Sequence, residues 1–123
     1  MSIFGIGTDI IEIARFKRNG QSLGRRFMER CFTEKEREHL ANRNIENIAG
    51  YFAAKEAVAK ALGTGFVNFW PNAIEIQYNK NGRPIVILHE GAATFAENVG
   101  ITCIDISISH CKTYATAMAI AQI

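Results

Sequence analysis

The chain has 123 residues, 48% of them apolar and 21% charged, which is the balance and length of a globular protein of about one domain. Its net charge of +2 is too small to mark a nucleic-acid binder. No run approaches the roughly 20 apolar residues of a membrane-spanning helix. Cys31, Cys103 and Cys111 are odd in number and show no metal-ligand spacing. Met1–Ile10 lacks the basic start and sustained apolar run of a secretory signal. A cytoplasmic protein with reduced thiols is the expectation. Folding a chain of this size covers roughly two-thirds of its unfolded surface, so oligomerisation is a reasonable further expectation.

In chain order, Ile3–Ile11 alternates apolar residues with Gly5, Gly7 and Asp9 and predicts a first strand. Glu12–Lys17 could open a helix after it. Gln21–Arg30 reads as helical, with Leu23, Phe27 and Met28 on its apolar side. Thr33-Glu34-Lys35-Glu36 is a capping box and predicts a helix from Glu34 to about Arg43. Glu46–Leu62 is the clearest helix, with Tyr51, Ala54, Val58, Ala61 and Leu62 on one stripe and Gly63 as its left-handed cap. Ala73–Tyr78 and Pro84–Leu88 flank Asn81-Gly82, a hairpin signal. Glu90–Val99 predicts a helix ended by Gly100. Cys103–Ser109 alternates strictly, and Tyr114–Ile123 is apolar nearly throughout and reads as a buried strand; the short link between them predicts a second hairpin. The sum is a single α+β domain over residues 1–123, with an antiparallel sheet and a long central helix.

Glu56 and Lys60 lie four residues apart on one face of that helix, with Phe52 extending the stripe. They are either a surface ion pair or part of a site. Asp9 either caps the helix expected after it or has a partner. Together, an Asp on a strand and a Glu with a Lys one turn on would suit a hard cation such as Mg²⁺, which takes one or two carboxylates and completes its shell with phosphates and water. Lys60 would meet the same phosphates as a point charge. Gly63-Thr64-Gly65 is either a helix stop or a place where backbone approaches a ligand. No P-loop is present. His110 ends a strand, and the adjacent Cys111 points to the opposite face, which makes a poor nucleophile–base pair. Arg15, Lys17, Arg18, Arg25, Arg26 and Arg30 form a basic cluster against the single acid Glu29, either a solvated face or a docking surface for an acidic partner.

Three segments resemble the holo-acyl-carrier-protein synthase family of 4'-phosphopantetheinyl transferases: Gly5-Ile6-Gly7-Thr8-Asp9-Ile10, Phe52-Ala53-Ala54-Lys55-Glu56-Ala57-Val58-Ala59-Lys60-Ala61, and Ser107-Ile108-Ser109-His110. Phe32-Thr33-Glu34-Lys35-Glu36 and Asn81-Gly82-Arg83-Pro84 are similar to it as well. The resemblance implies transfer of the phosphopantetheine arm of coenzyme A to a serine of acyl carrier protein, in support of fatty acid biosynthesis. It implies Asp9 and Glu56 as magnesium ligands and Lys60 as a contact to the coenzyme A phosphates. Gly63 and Gly65 would belong to the cofactor-binding loop, and Pro84 and His110 would line the adenosine end, His110 from a neighbouring subunit of a homotrimer. Arg15 would lie on the carrier-binding surface, with Arg25 and Arg26 beside it. The sequence departs from the family where many relatives carry an Arg before the Phe of the F-x-x-K-E motif: here stands Tyr51, and Arg43 is the candidate replacement for holding the 3'-phosphate. Two rivals are a small basic module for RNA or acidic proteins, and a coenzyme A acyltransferase, which would need no pair of metal-binding carboxylates.

Overall fold

The computed structural model describes residues 2–17 and 24–123. Strand β1 (Ile3–Glu12) leads through one 3-10 turn (Ile13–Phe16) towards three helices, α1 (Arg25–Cys31), α2 (Glu34–Leu40) and α3 (Ile45–Leu62). A second 3-10 turn (Pro71–Ala73) opens the hairpin β2 (Ile74–Tyr78) and β3 (Pro84–Leu88); α4 (Glu90–Val99) and the hairpin β4 (Cys103–His110) and β5 (Tyr114–Gln122) complete the order. The expected α+β alternation is therefore present, with differences at the element ends. The helix expected over Glu12–Lys17 is a single 3-10 turn, and α2 stops three residues short of Arg43. The start expected at Gln21, Leu23 and the basic Arg18 lie outside the described residues.

The strands form two antiparallel sheets, one of order β1-β5-β4 and one of β2-β3. Pairing of the first strand with the last joins the chain's two ends, with Asp9 opposite Ala117 and Ala117 in turn opposite Ile108. Strand β5 is not buried on both faces, as its apolar run had suggested. Ala115, Ala117, Ala119 and Ala121 are buried, while Tyr114, Thr116 and Met118 alternate with them on an open face. Among the described residues only one face of the sheet is covered by a helix, so the alternation survives in burial although the sequence is apolar on both sides.

The covering helix is α3, and small residues let it lie very close. A Cβ added to Gly5 would stand 2.0 Å from the Ala61 carbonyl oxygen, and one added to Gly7 would stand 1.9 Å from that of Ala57. Helix backbone thus rests directly on strand backbone, with the β5 alanines continuing the shallow floor. On the flank of α3, Phe52 meets Phe16 and Phe27 at centroid distances of 5.5 and 6.2 Å, fastening the 3-10 turn and α1 to it. Such buried aromatic pairs contribute about 0.5–1.5 kcal/mol each beyond the area they bury. The helix ends follow their sequence signals. Glu36 N–H donates to Thr33 Oγ1 at 3.1 Å and Thr33 N–H to Glu36 Oε1 at 2.8 Å. Gly63 closes α3 in the left-handed conformation at φ 79°.

Candidate active site

The strand period carries the helix-facing row from Gly5 and Gly7 on to Asp9. Because the two glycines seat α3 flush against β1, the Asp9 carboxylate emerges against the side of the helix rather than above it. Lys60 Nζ donates to Asp9 Oδ1 at 3.2 Å and to the Thr8 carbonyl at 2.9 Å. The Asp9 side chain is 16% exposed and that of Lys60 53%, so the pair sits at the edge of solvent. Asp9 is therefore no helix cap: the 3-10 turn starts after Glu12, without a side-chain cap. Nor do Glu56 and Lys60 form the i,i+4 ion pair that their spacing allowed; Lys60 turns to the strand instead.

Glu56 is half-buried beside them. Burial pushes its carboxyl above the usual carboxylate range, and the negative charge of Asp9 pushes it further, while Lys60 and Arg15 pull it back. Four of the residues singled out in the sequence (Asp9, Arg15, Glu56, Lys60) thus act on one spot. Two carboxylates and two cationic side chains thus meet at the edge of solvent, with the two negative groups near enough to repel each other. Among the described residues no cluster of three or more His, Cys, Asp or Glu forms. Asp9 and Glu56 are both carboxylates, the oxygen donors that a hard dication takes when phosphate and water complete its shell.

The remaining predicted residues fall into separate places. Gly63 and Gly65 follow α3 one turn beyond Lys60, both at positive φ, and the Thr64 hydroxyl donates to the Gly65 carbonyl at 2.9 Å. Pro84 starts β3 opposite Tyr78. Arg43 acts on the same tyrosine and on Tyr51, opposing the upward push of burial on both hydroxyls. Tyr51 itself is buried in a three-ring stack, 6.0 Å from both His39 and Tyr78, which stand 6.2 Å from each other. A cleft of about 280 Å³ runs past this stack, lined by Lys35, Gln77 and Tyr78 among others. At the position where the family resemblance implies an Arg, this chain has packed an aromatic ring. His110 ends β4 opposite Ala115, two residues along from the row that holds Asp9. Arg25 and Arg26 are exposed on α1, Arg25 lying 3.6 Å from Glu29.

The sequence reading missed Lys55. Its ammonium is wholly buried, 2.7 Å from the equally buried Glu36. The signal was available: Lys55 stands four residues after Tyr51 and three before Val58, on the apolar stripe itself. A Lys there needs a buried acid as partner.

The 4'-phosphopantetheinyl transferase superfamily matches residues 5–119. The chain is 50% identical over 122 residues to the holo-[acyl-carrier-protein] synthase of Caldicellulosiruptor saccharolyticus, covering 98% of this chain and 97% of that one. It is likewise 50% identical to the protein of the same name from Alkaliphilus oremlandii, over 97% of this chain and 98% of that one. Among solved structures, the holo-[acyl-carrier-protein] synthase of Neisseria meningitidis superposes with a TM-score of 0.88 at 31% identity, covering 99% of this chain and 100% of that one. The Helicobacter pylori enzyme, solved in complex with coenzyme A, superposes with a TM-score of 0.83 at 29% identity, covering 95% and 99%.

Proposed function

Because the chain belongs to the 4'-phosphopantetheinyl transferase superfamily, we propose that the Asp9–Glu56–Lys60 cluster is where it transfers the phosphopantetheine arm of coenzyme A to an apo-acyl carrier protein. The products are the holo-carrier and adenosine 3',5'-bisphosphate. The observation that carries the reading is the glycine contact of β1 with α3, which sets Asp9 against Lys60 and within the field of Glu56.

Asp9 and Glu56 would hold Mg²⁺. When bound, the ion supplies charge neutralisation at the pyrophosphate. Lys60 swings its ammonium between Asp9 and the leaving phosphate, where negative charge accumulates. Glu56 orients a water that receives the proton of the carrier serine as its hydroxyl oxygen attacks the pantetheine-side phosphorus. Arg15, near enough to Glu56 to act on its carboxyl, faces the incoming carrier, and Arg25 and Arg26 extend that basic edge along α1. Positioning and electrostatics supply most of the acceleration, as in other phosphoryl transfers.

Gly63 and Gly65 bring backbone towards the cofactor, and Arg43 replaces the missing Arg at the 3'-phosphate. Pro84 and His110 line the adenosine end, His110 reaching across from a neighbouring copy. A homotrimer is supported by the open face of the three-stranded sheet, where Ile6, Ile10 and Met118 are 59%, 68% and 49% exposed. No helix among the described residues is long and apolar enough to cross a membrane. We place the protein in the cytoplasm, where residues 1–123 act as one domain and supply carrier protein for fatty acid biosynthesis.

The test is mass spectrometry of an apo-carrier protein after incubation with the chain, coenzyme A and magnesium. A gain of roughly 340 Da, one phosphopantetheine group, is expected, together with its loss on chelation. No gain, or a gain indifferent to chelator, refutes the reading.

A further inference from the structure

The mechanism makes no use of the one fully buried ion pair in the described part of the molecule, Lys55–Glu36, although Lys55 is the residue next to Glu56. Lys55 Nζ has its three protons directed to three acceptors: Glu36 Oε1 at 2.7 Å, the Pro71 carbonyl at 3.3 Å and the Ile74 carbonyl. Glu36 is equally committed. Its Oε1 also accepts from Thr33 N–H at 2.8 Å, and its Oε2 accepts from Ile76 N–H at 2.7 Å. The pair therefore ties α3 to the start of α2, to the second 3-10 turn and to β2.

Successive helix residues point about 100° apart. Lys55 thus pegs α3 on one side of Glu56, and Ala57, whose carbonyl lies on Gly7, seats it on the other. An apolar contact of the same volume would hold the helix as firmly, but its attraction is non-directional. An ammonium with three directed bonds adds orientation. We propose that Lys55 and Glu36 are positioning residues for the transfer reaction: they fix the rotation of α3 and thereby aim Glu56 at the spot it shares with Asp9. The inference rests on the reading of Asp9 and Glu56 as the metal-holding pair.

Two variants test it. Glu36→Asp keeps the charge but shortens the arm by one methylene, so the pair can close only if α3 moves. The double variant Lys55→Met with Glu36→Gln removes both charges at similar volume and leaves no buried ion without a partner. Binding of Mn²⁺ in the presence of coenzyme A, read by the electron paramagnetic resonance of the free ion, is compared with thermal unfolding and with transfer kinetics. The double variant is expected to melt near the wild-type temperature and Glu36→Asp below it, yet both, measured where they are folded, to bind Mn²⁺ about tenfold more weakly, the scale on which outer supports of a metal site act. The rate constant kcat should fall with metal affinity while KM for the carrier stays unchanged. Wild-type Mn²⁺ affinity in either folded variant overturns the inference, and Glu36→Asp decides the matter if the double variant does not fold. A wild-type chain without Mn²⁺ affinity overturns the metal site and this inference together, whereas normal wild-type affinity carried unchanged into the variants overturns this inference alone.

Discussion

Lys55 and Glu56 are neighbours in sequence, yet α3 places them in opposite electrostatic regimes. On the Lys55 side every donor and acceptor is matched, the charges are sealed from water, and no buried side-chain nitrogen or oxygen in the described structure lacks a partner. On the Glu56 side two carboxylates repel each other at the edge of solvent, and the nearest ammonium is half exposed. The closed side is complete without a ligand. The open side concentrates charges of both signs within reach of solvent, as functional sites do. Two ionisable residues in succession can thus face a sealed interior and an open site, because a helix turns about 100° between them.

Substitutions on the two sides should separate along the same line. Glu56→Ala is expected to lower kcat for carrier modification by about 10⁴-fold, roughly 5 kcal/mol of transition-state stabilisation. It should leave urea denaturation unchanged or slightly improved, since it relieves repulsion with Asp9. Near-normal turnover of this variant at low metal would break the distinction. Lys55→Ala should differ in costing stability as well, about 3–5 kcal/mol in urea denaturation, because Glu36 is left buried without its cation. A variant of unchanged stability would show that the closed side is not closed. Arg15→Glu belongs to the rim of the open side. It should raise KM for the carrier about tenfold, with the gap narrowing as salt is added, and spare coenzyme A affinity. A carrier KM insensitive to both charge and salt would remove Arg15 from the docking surface.

The smallest effect concerns a fourth acid, Glu75, on β2 between the two residues whose backbone meets the Lys55–Glu36 pair. Burial pushes the Glu75 carboxyl up, but bonds from the Gln77 amide and from His89, the latter at 2.6 Å, outweigh it and hold it below the ordinary range. Its folded value therefore lies beneath its unfolded one of about 4.3. The stability it contributes is complete above that value and drains away as pH falls through the folded one. Glu75→Gln should cost on the order of 1 kcal/mol at pH 7, with the deficit vanishing in acid. A deficit of constant size from pH 7 to pH 3 would contradict the assignment.

Much of this arrangement was legible in the chain. The capping box at Thr33–Glu36, the long helix closed by Gly63 and the Asn-Gly hairpin are local devices, and each is found where its residues announce it. Asp9, Glu56 and Lys60 could be singled out by type and spacing and by the family resemblance. What spacing could not supply was long-range: β1 beside β5, and the partner of Lys60, which lies fifty-one residues away on β1 rather than one turn away on its own helix. The Lys55–Glu36 pair escaped for a related reason. Glu36 was already accounted for by its cap, and nothing local shows that the same carboxylate also serves a lysine from another helix. The exposed face of β5 was misjudged because apolar residues on both faces look alike until it is known which one a helix covers.

The seat of α3 on Gly5 and Gly7 bears on how mutational scans of such a chain should be interpreted. Neither position has a side chain to offer a substrate, yet any replacement must push the helix off the strand and carry Lys60 away from Asp9. Both would score as intolerant as the carboxylates themselves in an activity screen. Only a parallel measurement of folded abundance would reveal that the loss at these two sites begins with backbone spacing and reaches the chemistry second.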